Sequence, residues 1–351
     1  MIEIAVTGTP SVGKSTFFKA ATLKDVKIAS YPFTTLNASE GLAYVKVKCP
    51  CRELNIDCEQ CINGVRFIPV KLWDIVGLVP DAHLGRGKGI AFLDDIRQAN
   101  ALIHIIDVSG RTDLNGNPVE NFDPSRAVKM LEKEFTYWMI DLFKKDWRKL
   151  QHAEKKQFIE ILSNRFSGLG INEKHLDLAF VKSNVTQNIK KWTDGDIYKF
   201  VDELRKISKP SIIVANKIDI PGSDEIMKKL KQDYADKIII PTAADLELAL
   251  REAHKSGLIE YIPGSNNFKI LDNKNLTEKQ KKALDYMKKF LERHGSTGVQ
   301  HAINSAVFDL LDMIVVYPVA DPNKFTDKLG KNVLPDAFLL KRGSTAHDLA
   351  Y

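Results

Sequence analysis

At 351 residues, the chain is long enough for two or three domains with a substantial buried core. Its charge is mixed, with a net value of +6, which permits an RNA or ribosome partner without requiring one. No apolar run approaches the length of a membrane span, and the N-terminus has the pattern of a folded strand rather than a signal peptide. The composition therefore predicts a cytoplasmic protein with no membrane partner.

The first predicted element is a strand, Ile2–Val6, followed by Gly8-Thr-Pro-Ser-Val-Gly13-Lys14-Ser15 and a helical pattern. A glycine loop at a helix start lets backbone N–H groups surround a phosphate. A lysine there reaches the β- and γ-phosphates, and a serine ligates magnesium. The strand–loop–helix context favours this interpretation over a plain turn, so Lys14 is also a predicted catalytic residue. The predicted nucleotide-binding residues of this loop are Gly8, Pro10, Ser11, Val12, Gly13, Lys14, Ser15 and Thr16.

The cysteines form one cluster with the spacing C-x-C-x6-C-x2-C: Cys49, Cys51, Cys58 and Cys61. They lie between the predicted strands Leu42–Val47 and Phe67–Trp73, at the tip of a predicted antiparallel hairpin. Four thiolates suit one zinc ion, while two disulfides or free thiols stay open as alternatives. Because eight residues of strand span roughly 25 Å, a metal at the tip is predicted to be structural rather than catalytic.

A second motif, Asp74-Ile-Val-Gly77, follows the strand Phe67–Trp73. Asp74 can hold the same magnesium through water, and the Gly77 amide can sense a γ-phosphate. The next residue is Leu78, which can neither hold nor polarise water, so we expect slow hydrolysis. His83 and Arg86 lie downstream and are candidates to supply the missing group; loop structure or a partner contact is the alternative.

Further strands are predicted at Ala101–Val108, Ser211–Ala215 and Ile238–Pro241, with helices at Gly89–Asn100 and Asp245–Ser256. This alternation predicts a doubly wound α/β domain with its ligand site at the carboxyl ends of the strands. The strand Ser211–Ala215 leads into Asn216-Lys217-Ile-Asp219. Asp219 can accept both N–H groups on the Watson–Crick edge of guanine, a pairing that adenine cannot offer.

Between residues 111 and 207 the pattern changes to a polar loop and predicted helices at Arg126–Gln157, Glu154–Phe166 and Asp194–Ile207. The first two are expected to pack as an antiparallel hairpin. Their outer face is basic, and a solvated surface is favoured over a nucleic-acid contact. The residues of this basic face are Lys144, Lys145, Arg148, Lys149, Lys155 and Lys156.

The C-terminal part has helical patterns at Thr277–Arg293 and Ser296–Ile314, then predicted strands at Val315–Val319 and Leu334–Leu340. Ser344 has the character of a helix cap shortly before Tyr351. A strand–turn–strand–helix unit of this size buries too little surface to stand alone, so we expect a truncated domain.

Several longer segments carry a family resemblance: Tyr31-Pro-Phe-Thr-Thr35, Asp74-Ile-Val-Gly-Leu-Val-Pro-Asp-Ala-His83-Leu-Gly-Arg-Gly87, Phe92-Leu-Asp-Asp-Ile-Arg97, Gly295-Ser-Thr-Gly-Val-Gln300 and Leu334-Pro-Asp-Ala-Phe-Leu-Leu-Lys-Arg-Gly-Ser-Thr345. With these, the chain resembles the Obg family of GTPases, and within it an archaeal form of the YchF subfamily. The resemblance implies a Ras-like P-loop domain with a mostly parallel sheet, a helical coiled-coil insertion and a C-terminal β-grasp TGS domain, of which only the first part is present. It also implies association with the ribosome or ribosomal RNA.

The resemblance also assigns roles to residues. Thr35 corresponds to the switch threonine that meets Mg²⁺ in the triphosphate state, and Thr242, Ala243 and Ala244 to the last base-binding loop. Many YchF members have lost the Asn-Lys-x-Asp element and use ATP, whereas this chain retains it. Guanine is therefore favoured, and a wrong base would leave the Asp219 carboxylate partly unpaired at a cost of at least about 1–3 kcal/mol.

These observations predict a monomer in four parts: the first part of the GTPase domain at 1–110, the helical insertion at 111–207, the rest of the GTPase domain at 208–314 and a partial TGS domain at 315–351. The favoured function is slow hydrolysis of GTP to GDP by a ribosome-associated switch that uses Mg²⁺. The alternatives are an ATP hydrolase, or an RNA- or ribosome-binding adaptor whose shape is set by the nucleotide.

Overall fold

The structure of the protein is a computed structural model that describes residues 1–23, 40–75, 77–85, 96–271 and 276–350. Three predictions lie outside the described residues: those for Thr35 and Arg86, and most of the predicted helix Gly89–Asn100. None of the helices in the described part of the chain combines the length and apolar character that crossing a membrane requires.

The central element of the described chain is a six-stranded sheet. Its strands are β1 Glu3–Gly8, β2 Glu40–Lys48, β3 Val65–Asp74, β4 Ala101–Asp107, β5 Ser211–Asn216 and β6 Ile239–Thr242. They lie in the order β2-β3-β1-β4-β5-β6. β2 pairs antiparallel with β3, and the other pairs are parallel. The mostly parallel sheet and the hairpin between β2 and β3 are confirmed.

The register of the sheet places the predicted motifs at one edge. Val6 is opposite Asp74, and Gly8 is opposite Ile105 in β4. Asn216 is opposite Asp107 on one side and Thr242 on the other. Because the carboxyl ends of parallel strands meet at the same edge, the three nucleotide motifs are brought together there.

Helices cover both faces of this sheet. The helix Lys14–Thr22 buries Phe17, Ala20 and Ala21, whose spacing of three and one residues places them on one helical face. They pack with the apolar side chains of β1, β2 and β3, and full burial of Phe17 alone contributes about 2–3 kcal/mol. Other helices that the structure describes in this part are Cys51–Leu54 at the hairpin tip, Ser223–Asp233, Ala244–Lys255 and Val299–Ser305.

The insertion between β4 and β5 is helical, as predicted, but its elements differ from the prediction. Its helices are Ser125–Lys144, Trp147–Leu150, Lys155–Phe166, Glu173–Lys182 and Asp194–Ser208. The predicted continuous helix Arg126–Gln157 is therefore wrong: the helix ends at Lys144. The helix Glu173–Lys182, which begins with a capping box formed by Asn172 and His175, was not predicted.

An aromatic centre explains this arrangement. Phe143, Phe158, Phe180 and Phe200 come from four different helices and all have ring contacts with Trp192. Ser125–Lys144 packs mainly against Asp194–Ser208, rather than against Lys155–Phe166. The predicted hairpin of the first two helices is therefore corrected to a cluster of helices, and the coiled coil implied by the resemblance stays a prediction.

The C-terminal part continues the sheet domain. The helix Glu278–His294 is followed by Val299–Ser305, which continues as a π-helical turn, Ala306–Leu310. A short antiparallel pair, β7 Ile259–Glu260 and β8 Lys269–Ile270, precedes these helices. A second antiparallel pair, β9 Met313–Val316 and β10 Phe338–Lys341, follows them, and the helix Ala346–Ala350 comes last. The predicted helix Ser296–Ile314 is thus shorter than expected. A partial TGS domain stays a prediction.

A buried histidine in the sheet makes folding sensitive to acid. His104 in β4 is only 2 % exposed, and its Nε2 has no hydrogen-bond partner among the described residues. Burial, helped by the positive charges of Lys237 and Lys14, lowers the pKa of His104 to about 3. An unfolded histidine titrates near 6.5, so between these pH values the unfolded chain binds a proton that the folded protein does not. Stability is therefore lost as the pH falls below about 6.5.

We expect His104→Leu to reduce this acid sensitivity. Between about pH 7 and pH 4.5, the parent should lose about 2.5 kcal/mol of unfolding free energy through His104, and the variant should not. Urea unfolding of both proteins at the two pH values measures the difference. His301→Ala, at an exposed position, is the control and should behave as the parent does. Equal acid sensitivity of His104→Leu and the parent would contradict the prediction.

Candidate nucleotide-binding site

The loop between β1 and the helix Lys14–Thr22 has a backbone that requires glycine at two positions. Gly8 has φ +147°, and a Cβ there would lie 2.2 Å from the carbonyl oxygen of Ile105. Gly13 has φ +96°, and a Cβ there would lie 2.3 Å from Nδ2 of Asn216. A side chain at either position would clash with the neighbouring strand, so these glycines let the loop approach β4 and β5 closely.

Lys14, Ser15 and Asp74 meet at the start of the first helix. Ser15 Oγ donates to Asp74 Oδ2 at 3.1 Å, and Lys14 Nζ donates to the carbonyl oxygen of Thr9 at 2.7 Å. A Cβ at Gly77 would lie 2.9 Å from Lys14 Nζ, so the second motif packs directly on the loop. These contacts place the predicted magnesium ligands Ser15 and Asp74 beside the predicted phosphate-binding lysine.

Burial perturbs both charged groups of this pair. It lowers the pKa of Lys14, partly offset by the negative charge of Asp74. It raises the pKa of Asp74, with the hydrogen bond from Ser15 and the charge of Lys14 acting in the opposite direction. A bound magnesium ion and phosphate would favour the charged form of each, which fits a site built for a charged ligand.

Asn216 joins the base motif to the phosphate loop. Its Nδ2 donates to the carbonyl oxygen of Val12 at 2.8 Å, and its Oδ1 accepts from the amide of Ala244 at 3.0 Å. The side chain is 2 % exposed, so both bonds are shielded from water. One buried amide therefore fixes the relative positions of the phosphate loop, the strand β5 and the segment after β6.

Lys217 lies against the same loop from the outside. Its backbone is left-handed, with φ +67°, which turns the chain after β5. Its Nζ donates to the carbonyl oxygen of Ser11 at 3.0 Å and to Asp107 Oδ2 at 2.8 Å. The lysine thus bridges the phosphate loop and the end of β4.

Asp219 follows in the same turn and is half-buried. Burial raises the pKa of its carboxyl, with the negative charge of Asp245 adding to the rise. Its backbone carbonyl accepts from Tyr286 Oη at 3.3 Å, so the C-terminal helix Glu278–His294 supports the base-motif loop. Because the predicted guanine contact needs an ionised acceptor, the raised pKa predicts weaker guanine binding in acid.

The segment Thr242-Ala243-Ala244 lies beside Asn216, as predicted, but two of its amides are engaged within the protein. The Ala243 amide donates to the carbonyl oxygen of Thr297 at 2.9 Å, and the Ala244 amide donates to Asn216. A Cβ at Gly298 would lie 2.0 Å from the carbonyl oxygen of Pro241, so this loop and residues 297–298 form one tightly packed unit. The predicted base contact of the segment stays a prediction.

Asp107, at the end of β4, was not predicted from the sequence as a site residue, yet it organises the site. Its carboxylate is buried and accepts hydrogen bonds from Ser109, Thr112 and Lys217. Burial alone would raise the pKa of Asp107, but these bonds outweigh it and hold the pKa below its usual value. Its place at the carboxyl end of a parallel strand is the signal that points to it. Gly116 also contacts the site, because a Cβ there would lie 2.7 Å from Pro10 Cβ.

The segment after Gly77 is held by the helical insertion. Leu78 is 3 % exposed and belongs to the apolar core that includes the insertion helices. His83 Nδ1 donates to Glu134 Oε2 at 2.6 Å, and the amides of Asp81 and His83 also donate to Glu134. The His83 ring stacks on Tyr137, with centroids 5.2 Å apart. The predicted catalytic His83 is therefore engaged with the insertion in this structure.

Comparisons with known proteins show the family of this chain. A family model described as Obg-like GTPase YGR210-like, G4 motif-containing domain, matches residues 214–321, and one described as 50S ribosome-binding GTPase matches residues 3–164. A GTP-binding protein of Methanocaldococcus jannaschii is 48 % identical over 357 residues, which cover 100 % of this chain and 90 % of the relative. The chain belongs to the Obg family of GTPases, in its YchF type.

Solved structures support the same assignment. The crystal structure of a GTP-binding protein from Pyrococcus horikoshii is 39 % identical and has a TM-score of 0.75, with 99 % of this chain and 88 % of that one covered. The Schizosaccharomyces pombe YchF GTPase is 19 % identical and has a TM-score of 0.52, covering 99 % and 83 % of the two chains. The second likeness concerns the fold, and this YchF-type chain has the Ras-like P-loop GTPase fold.

The four cysteines of this YchF-type GTPase converge at the tip of the β2–β3 hairpin. Their Sγ atoms all lie within 4.8 Å of one another, with 4.0 Å between Cys49 and Cys58 and 3.7 Å between Cys51 and Cys61. These distances far exceed the roughly 2.05 Å of a disulfide, and all four cysteines are free. Burial raises the pKa of the Cys49 thiol, so a thiolate there needs positive charge nearby.

Proposed function

We propose that this YchF-type protein hydrolyses GTP slowly and acts as a nucleotide-dependent switch. The observation that supports this best is the pair of contacts that converge on one loop. The hydrogen bond between Ser15 and Asp74 joins the phosphate loop to the predicted magnesium ligand Asp74. The hydrogen bond from Asn216 to Val12 joins the same loop to the base motif. A site with this arrangement holds phosphate and base in one fixed relation, as hydrolysis of a guanine nucleotide requires.

In the proposed mechanism, the phosphate loop binds the phosphates through backbone N–H groups, and Lys14 balances charge on the β- and γ-phosphates. Among the described residues, the side chains that would hold a magnesium ion are Ser15 and Asp74. Thr35, outside the described residues, is predicted to join them in the triphosphate state. When bound, the ion neutralises charge that develops on the transferred phosphoryl group. Gly77 packs against Lys14, and we propose that its amide responds to a γ-phosphate.

Slow turnover follows from the surroundings of Leu78. Its side chain is apolar and buried in the core shared with the insertion, so it cannot orient the attacking water. Without an added catalytic group, hydrolysis in this class proceeds at about 10⁻⁴ to 10⁻³ per second, and a supplied group raises it by up to about 10⁵. His83 can supply such a group only after it leaves Glu134.

The contact between His83 and Glu134 also provides the switch. Glu134 lies on the insertion helix Ser125–Lys144, whereas His83 follows the γ-phosphate-sensing segment. Burial alone would raise the pKa of Glu134, but the hydrogen bonds from His83 and Asp81 outweigh it, so the carboxylate is a strong acceptor. A nucleotide that draws this segment toward the phosphate would break these bonds and release the insertion helix.

A ribosomal partner is the proposed source of activation. The family model that matches residues 3–164 is described as a 50S ribosome-binding GTPase, which supports this partner. The basic face of the insertion gives weaker support, because acidic residues neutralise part of it. Lys144 pairs with Asp194 at 2.7 Å, and Lys155 lies 3.5 Å from Asp177. This mixed charge favours the solvated surface predicted from sequence.

We expect purified protein to hydrolyse GTP on the order of 10⁻⁴ to 10⁻³ per second, and ribosomes to raise the rate at least about tenfold. Phosphate release, measured with and without ribosomes, tests both values. His83→Ala should reduce the stimulated rate while leaving GDP affinity unchanged, and His152→Ala, at an exposed position, is the control. Rapid turnover without a partner would contradict the slow-hydrolase proposal. Ribosome binding without stimulation of hydrolysis would favour the adaptor alternative. Faster hydrolysis of ATP than of GTP would favour the ATPase alternative.

We also propose that the cysteine cluster holds one structural zinc ion. Four sulfur atoms at about 2.3 Å from a tetrahedral zinc ion are about 3.8 Å apart, close to the two distances in the cluster. The ten residues of β3 separate the cluster from Asp74 by about 30 Å, so this ion cannot take part in hydrolysis. Its role is to organise the hairpin tip.

A further inference from the structure

The hairpin tip, residues 49–64, is joined to a distant part of the chain. Cys49 and Cys51 are 1 % and 4 % exposed, and Leu334, which is 2 % exposed, completes one apolar cluster with them. The partly buried residues around this cluster come from both parts of the chain: Ile56, Cys58, Cys61, Tyr317, Val319, Phe325 and Val333. The side of the tip that carries the thiols is thus also the side that faces residues 317–335, the C-terminal segment.

Arg66 connects the two parts through its guanidinium group. Nη1 lies 3.9 Å from Cys58 Sγ, and Nη2 donates to the carbonyl oxygen of Pro335 at 3.0 Å, across 269 positions of sequence. The residue is 2 % exposed, which is unusual for an arginine and requires a compensating negative group. Four thiolates around a divalent zinc ion carry a net charge of −2, and a buried guanidinium is the counter-ion that such a centre needs.

The C-terminal segment is shaped to fit this surface. Leu334 has φ +47°, a left-handed conformation that an apolar side chain adopts only when its surroundings enforce it. Its amide donates to the carbonyl oxygen of Phe325 at 2.8 Å. Thr326 forms isolated antiparallel β-bridges with Asp321 and Val333. The segment is a small loop structure with little core of its own, so most of its order depends on contact with the hairpin tip.

We propose that zinc bound by Cys49, Cys51, Cys58 and Cys61 clasps the C-terminal segment to the hairpin tip, with Arg66 as the bridge between the metal centre and Pro335. This inference rests on the proposed zinc site. Loss of the metal frees the thiols, removes the negative charge that pairs with Arg66 and disorders the surface on which Leu334 packs. The clasp therefore couples the order of residues 317–335 to metal occupancy, independently of the nucleotide site at the far end of β3.

The test begins with the full chain and its metal content. We expect about one equivalent of zinc per chain by elemental analysis. Hydrogen exchange is then compared between zinc-loaded protein, protein stripped with a chelator and protein reloaded with zinc. Exchange in residues 317–335 should rise at least about tenfold on stripping and return on reloading. Exchange in β5 and the affinity for GDP should be unchanged, because neither β5 nor the nucleotide-binding site contacts the cysteine cluster.

Three variants separate the metal from the clasp. Arg66→Lys and Leu334→Ala should retain zinc yet show faster exchange in residues 317–335. Cys58→Ser with Cys61→Ser should lose zinc and show the same faster exchange. Absence of zinc in the parent, or disulfides among the four cysteines, would overturn the zinc site and the clasp together. Zinc that binds without changing exchange in residues 317–335 would overturn the clasp alone, and neither result bears on GTP hydrolysis.

Discussion

Lys14→Ala should weaken GTP binding by about 100-fold, because a hydrogen bond to a charged group contributes about 1.5–3 kcal/mol. Lys14 lies beside Ser15 and Asp74 at the start of the first helix, where its amine is partly desolvated and its pKa is lowered by burial. A triphosphate stabilises the charged form of this amine and receives its hydrogen bond in exchange for the carbonyl oxygen of Thr9. The loss should be larger for GTP than for GDP, since the γ-phosphate contact exists only in the triphosphate.

Titration with fluorescent GTP and GDP analogues in the presence of Mg²⁺ measures both affinities. Lys228→Ala, which removes an exposed lysine from the helix Ser223–Asp233, is the matched control and should bind as the parent does. Thermal unfolding of Lys14→Ala should show an intact fold, because this change removes a partly buried amine rather than core packing. Unchanged GTP affinity in a folded Lys14→Ala protein would refute the assignment of the phosphate site.

Asp219→Ala should remove the preference for guanine over adenine nucleotides. In the parent, we expect GTP and GDP to bind about 10- to 100-fold more tightly than ATP and ADP, because a wrong base leaves the carboxylate unpaired. Asp219→Asn exchanges one acceptor for a donor, which matches the additional carbonyl of xanthine. This variant should therefore bind xanthosine triphosphate more tightly than GTP.

Competition of GTP, ATP and xanthosine triphosphate with a fluorescent GDP analogue for the site measures these preferences in the parent and in both Asp219 variants. Asp245→Ala removes the exposed neighbouring carboxylate whose charge contributes to the raised pKa of Asp219, and it should preserve the guanine preference. Equal affinity of the parent for GTP and ATP would instead support the ATPase alternative. In that case, Asp219 would have a structural role in the turn that Tyr286 supports.

Short-range patterns predicted the nucleotide domain well. The six strands of the sheet were all predicted from apolar runs, and each motif follows the strand that positions it. Glycine at 8 and 13 was predictable for the same reason, because the loop chemistry is contained in eight consecutive residues. Asp107 was missed because its partners Lys217, Ser109 and Thr112 lie partly far along the chain, and no local pattern marks a strand-end carboxylate.

The helical insertion shows where local patterns fail. Apolar residues continue at helical spacing beyond Lys144, so the periodicity by itself predicts one long helix. The chain turns there instead, and Phe143 reaches the aromatic centre that Trp192 completes from 49 positions later in the sequence. Tertiary packing of these rings outweighs the intrinsic preference for a continuous helix, as it often does when large aromatic surfaces can be buried.

By itself, the sequence determined the parallel sheet, the phosphate loop, the base motif and the spacing of the four cysteines, because each depends on residues close together in the chain. Only the tertiary structure decided that His83 pairs with Glu134, that Asn216 ties three segments together and that the cysteine cluster faces Leu334. These contacts join segments separated by 28 to roughly 280 positions, and their formation depends on the packing of the whole core rather than on any local pattern.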